Sequence, residues 1–155
     1  MFGSRIVIAP LCVLLVFVAG CESNEAVRDR SLKQAADFVA QGNQICKEDN
    51  AKFKALGTPS SSDVRPFLQK LIPLLDDDLS RLKDLEPPGD EAATFDAWIA
   101  HLEQGTELTK KAAEAPSTDA ATKILQPSRS INKQADSEAE KLGLDECLTS
   151  AGSGS

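Results

Sequence analysis

A single histidine limits the chemistry open to this chain of 155 residues. A Ser-His-Asp relay or a multi-histidine metal centre would have to be built on His101 alone. His101 follows Trp98 by three positions, so a helix brings the two side by side and makes them the best candidates for touching a ligand. The plainer alternative is a partly exposed histidine beside a core stripe. Asp76-Asp77-Asp78 is the densest run of carboxylates. Consecutive helical positions point about 100° apart and cannot converge on one ion, so the run reads as a solvated face. Asp136, Glu138 and Glu140 scatter in the same way, and no loop has EF-hand spacing. The glycines are too dispersed to cradle a phosphate. Haem is disfavoured, since there is no CxxCH motif and Met1 is the sole methionine. The expectation is therefore no metal, no cofactor and no catalytic constellation; an enzyme would need carboxylates with perturbed pKa converging near His101.

Composition narrows the partners. The chain is 41% hydrophobic and 26% charged, in the globular range, with only six Phe, one Trp and no Tyr, so its core must be aliphatic. A net charge of -7 and a pI near 4.7 argue against nucleic acid, whose phosphates call for a concentrated basic face.

Residues 1–20 carry one charge, Arg5, then an apolar run from Ile6 to Val18 and a small-residue finish, the layout of a secretory signal. Those thirteen apolar positions, interrupted by Pro10, would span about 20 Å as a helix, short of the roughly 30 Å of a bilayer core. Val18-Ala19-Gly20-Cys21 resembles the lipobox of bacterial lipoproteins. That resemblance implies cleavage before Cys21 and attachment of acyl chains to its thiol, giving an extracytoplasmic protein anchored in the cell membrane by lipid. Of the four cysteines, Cys12 falls in the signal and Cys21 is taken by lipid. In an oxidising compartment Cys46 and Cys147 are expected to pair, the alternative being two free buried thiols.

Helical periodicity dominates the remainder, and four helices are expected. The first covers about 29–55, with Leu32, Val39, Cys46 and Phe53 on one stripe and a possible bend at Gly42-Asn43. The second covers about 63–85, capped from Ser60 to Asp63; Val64, Leu68, Leu71, Leu75, Leu79 and Leu82 make the clearest amphipathic stripe in the chain. A third runs to about Ala115 through Phe95, Ile99, Leu102 and Thr106, and a fourth from about Asp119 to Leu142. Proline inside a helix removes a donor and crowds the preceding turn, which predicts kinks near Pro73 and a kink or split at Pro127. Short connections favour an antiparallel four-helix bundle. The predicted organisation is a signal at 1–20, a lipidated tether at 21–28, a helical domain at 29–148 and a flexible tail at 149–155. One tension stands out: Cys46 lies about 25 Å along its helix. To reach it, either the chain after Gly143 climbs back along the bundle, or the first helix overhangs as a stalk.

The lipobox cysteine, the FVAQGNQICKEDN segment with Cys46, LKDLEPPGDEAATFDAWIAHLE, and AEKLGLDEC with Cys147 together make the chain similar to small helical, two-cysteine lipoproteins of high-GC Gram-positive bacteria. The resemblance implies a paired-cysteine helical domain outside the membrane and no particular activity. Two roles follow as expectations. One is an interaction or structural role in the envelope, through an exposed apolar patch involving Trp98 or Phe67. The other is a small-molecule or ion-binding bundle with a pocket between helices.

Overall fold

The computed structural model describes residues 24–60 and 64–149. The signal, Cys21, caps 61–63 and tail 150–155 lie outside the described residues. The chain is all-α: α1 (Asn24–Ala55), α2 (Val64–Lys83), α3 (Ala92–Ala113), α4 (Thr118–Leu125), α5 (Ser128–Lys141) and a short 3-10 turn, Asp145–Cys147. Helix α3 is the central element, packing on α2, α4 and α5, while the main partners of α1 are α2 and the C-terminal turn. No described helix is long and apolar enough to cross a membrane.

The predicted fourth helix is two. Ser117 caps α4, its Oγ accepting from the Ala120 N–H at 3.2 Å, and the break to α5 falls at Gln126-Pro127, where proline has no N–H to continue the ladder. Pro73, by contrast, lies inside α2, which runs on through it from Val64 to Lys83. Helix α1 likewise continues through Gly42-Asn43 and begins at Asn24, so helix occupies residues 24–28 that composition assigns to a tether. Nothing between Asn24 and Asp29 breaks a helix, and Glu25 favours its first turn.

The fully buried residues of α1 are Phe38, Gly42, Cys46 and Asp49; of the predicted stripe, Cys46 is among them, Val39 packs against the larger cluster and Phe53 is half-buried, while Leu32 is exposed. Leu32 is 61% exposed and Val27 47%, in a first stretch of helix, residues 24–34, that is exposed throughout. Arg30, Lys33 and Gln34 stand beside Asp84–Glu86 at the end of α2, so the overhang is confined to the six residues before them, about 9 Å of helix. The chain also climbs back, so both geometric solutions to the Cys46 problem occur together. Gly143 adopts φ +70°, which lets Leu144 turn back and donate its N–H to Ala139 O at 2.9 Å, closing α5. Leu144 is fully buried and packs on α1 at Gly42, where a Cβ would stand 2.6 Å from Leu144 Cδ2. Asn43 then holds the returning backbone twice: Nδ2 donates to Gly143 O at 3.0 Å and Oδ1 accepts from Glu146 N–H at 2.8 Å. Asn50 donates to Glu146 O at 2.8 Å, and the Cys46–Cys147 disulfide closes between them with the Cα atoms 5.0 Å apart. Gly42-Asn43 is therefore the seat of the C-terminal strap. Replacing Asn43 with alanine leaves the Glu146 N–H without its acceptor and is expected to cost about 1–3 kcal/mol, read as a lower urea midpoint at unchanged slope.

Two apolar clusters fill the body. The larger joins Phe38, Leu82, Phe95, Trp98, Leu142 and Leu144; Phe38 meets Phe95 edge-on with centroids 5.6 Å apart. The smaller joins Leu68, Ala112, Ala113, Ala115 and Ala121, with Phe67 packed against it.

A candidate binding cavity with a carboxylate pair

Between the two clusters lies a cavity of about 490 Å³. Its wall takes Leu71, Leu75 and Leu79 from α2, Leu102 from α3, Leu125 from α4 and Phe53 from α1. This explains an oddity of the best stripe in the sequence. Leu82 is buried to 1% exposure, yet Leu71, Leu75 and Leu79 are only half-buried: Leu71 and Leu79 pack against the edges of the two clusters, and all three also line the cavity. Cys46, Cys147, Leu148 and Thr149 close one side. Thr149, expected in a free tail, is tied to Asp136 through its N–H at 2.8 Å and its hydroxyl at 2.8 and 2.9 Å, so the ordered domain extends one residue past the predicted boundary. The cavity volume falls within the roughly 300–1,000 Å³ usual for small-molecule sites.

The polar part of the wall includes Asn50, Thr106, Thr109, Ser128 and Asn132, and at one end it is acidic. Asp49 of α1 is buried to 1% exposure and faces Asp78 of α2 across the cavity edge. Arg81 Nη1 donates to both Asp49 oxygens at 3.2 and 3.1 Å, and Lys52 Nζ lies 2.6 Å from Oδ1. Each cation is shared: Arg81 Nη2 with Glu48 at 2.5 Å, Lys52 with Asp77 at 3.3 Å. Asp78 receives neither directly, and its Oδ1 is buried without a donor. Burial, then hydrogen bonding to Asp49 and the repulsion of that carboxylate, push Asp78 up to about 7. Hydrogen bonds from Gln44 and then Arg81 hold Glu48 below the usual carboxylate range, and the hydrogen bond to Asp49 raises Lys52.

The Asp76–Asp78 run thus divides. Asp76 and Asp77 are exposed and pair with Lys110 and Lys52, whereas Asp78 turns inward, correcting its reading as part of a solvated face. The two residues proposed from the sequence also divide. His101 lines the cavity and donates from Nδ1 to Glu138 Oε2 at 2.8 Å. Trp98 is buried to 1% exposure in the larger cluster beside Phe95, which removes it from any exposed patch and from the cavity wall. Among the described residues no cluster of His, Cys, Asp or Glu could hold a metal ion. No protein-family model, curated protein or solved structure matches this chain.

Proposed function

We propose that the protein is an extracytoplasmic lipoprotein, anchored through Cys21, whose helical domain binds a small, mostly apolar molecule. The observation that carries the binding reading is the leucine stripe of α2, whose middle lines a cavity of about 490 Å³ at the edge of the two clusters. Enclosing apolar surface without filling it forfeits dispersion and burial, a cost that a bound apolar molecule offsets. The lipid anchor rests on the sequence resemblance at residues 18–21, and the disulfide is compatible with the oxidising side of a membrane. An interaction role in the envelope has less to stand on: Trp98 is buried, and among the described residues the large exposed apolar side chains are Val27 and Leu32 on the first turns of α1.

Native mass spectrometry of the protein extracted from its own membranes tests both parts. The expected species carries the mass of acyl chains on Cys21, covalently, plus a second mass released on denaturation. Leu75→Trp, which puts an indole into the cavity, is expected to keep the first and lose the second. A native species with acyl mass and nothing else would overturn the binding reading, and unmodified Cys21 would overturn the anchor.

A further inference from the structure

We propose that the cavity selects an apolar molecule carrying a basic amine, its ammonium group seated at Asp78 beside Asp49; this rests on the binding reading above. Among the residues lining the cavity there is no Lys or Arg, whereas both aspartates line it. His101, the one basic side chain on the wall, is already engaged with Glu138. At the acidic end four carboxylates, Glu48, Asp49, Asp77 and Asp78, meet two cations, Lys52 and Arg81. Both cations are spent on the first three. Asp78, with Oδ1 buried and no donor, must then either hold a proton or be given a cation.

An ammonium group supplies charge and N–H donors together. The exchange balances: the Asp78 carboxyl O–H gives its proton to water as the ammonium arrives, one positive charge replaces another, and no other bond changes. The groups facing Asp78 are Asp49 and Lys52 from α1 and Arg81 from α2, with His101 on α3 elsewhere on the wall. A fatty acid or phosphate headgroup would bring a further anion to a site already short of cations, and a neutral alcohol would leave the proton where it is.

The test uses the full chain carrying Cys21→Ser, which removes the site of the proposed acyl chains and leaves the described residues untouched. Decylamine, decanol and decanoate are titrated against bound N-phenyl-1-naphthylamine at about pH 8. Decylamine is expected to displace the dye at about tenfold lower concentration than decanol, with decanoate weakest. Asp78→Asn is expected to bring the amine-to-alcohol ratio to about one. Should that variant fold poorly, the parent chain gives a second readout: near pH 7, amine uptake in weak buffer is expected to release about half a proton per molecule bound. An amine no better than the alcohol, or uptake without proton release, overturns the amine assignment while leaving the cavity reading in place. A chain that binds neither dye nor any of the three overturns both.

Discussion

Replacing Cys46 or Cys147 with alanine is expected to lower the melting temperature by about 10–20 °C under oxidising conditions. The bridge spans 101 positions of sequence, and a cross-link of that span restricts the unfolded chain by roughly 4–5 kcal/mol in the chain-entropy account. The folded state adds a second reason. The main partners of α1 are α2 and the C-terminal turn, and the strap from Gly143 to Thr149 is what joins α1 to α5 through Asn43, Asn50 and Asp136. Releasing Cys147 frees that strap from α1 and opens one wall of the cavity, so bound ligand is expected to be lost together with stability. Helix content at room temperature should hold, because α2, α3, α4 and α5 pack on one another without the bridge. Thermal melts followed by circular dichroism, with and without reductant, check this. Reductant should bring the wild type down to the variants and leave the variants unmoved; equal melting temperatures throughout would show that the hydrogen bonds of the strap suffice alone.

The elements of the fold were legible because they rest on local signals. The α2 stripe, the Ser117 cap, the break at Pro127 and the glycine stop at Gly143 each need only a few neighbouring residues to read. The first helix was read less well. Its stripe through Leu32 shares Cys46 with the most buried face, Phe38, Gly42, Cys46 and Asp49, and only the tertiary partner decides which of the two lies deepest. That partner is the strap, whose Leu144 requires glycine at 42, so a residue that locally weakens the helix marks a close contact. The carboxylate pair left a signal that charge conceals. Asp78 stands seven after Leu71, three after Leu75 and four before Leu82, while Asp49 stands three after Cys46 and four before Phe53. Both lie on apolar stripes, where a carboxylate needs a partner. The cavity itself has no such mark, since the same leucines would serve a filled core.

Stability is expected to fall as pH rises from about 5 to 8, the reverse of a protein held together by ordinary salt bridges, and Asp78→Asn should remove most of that slope. In the folded chain Asp78 keeps its proton up to about 7, whereas in the unfolded chain it loses it near its ordinary value of 3.8. The native state therefore binds more protons over this interval, and the unfolding free energy declines with pH. The full penalty is present above about 7 and vanishes below about 4. At about 1.4 kcal/mol per pKa unit its ceiling is near 4 kcal/mol, and the water that reaches a half-buried side chain lowers the real figure. Glu91, raised by burial and then by Asp90, adds a slope of the same sign that the variant retains. Glu48, shifted downward, acts in the opposite direction only below its ordinary range, outside the interval measured. Asparagine has the shape of the protonated acid and can donate to Asp49 at every pH. At about pH 8 the variant should therefore be more stable than the parent by about 2–3 kcal/mol, and at about pH 5 by only about 1 kcal/mol. Urea titrations of both at the two pH values provide the check: parallel pH profiles would mean that Asp78 ionises freely in the fold. A parent chain held at low stability above neutral pH by one unpaired carboxylate is what a site awaiting a cation would show, so the same titrations repeated with saturating decylamine should lift the parent more than the variant.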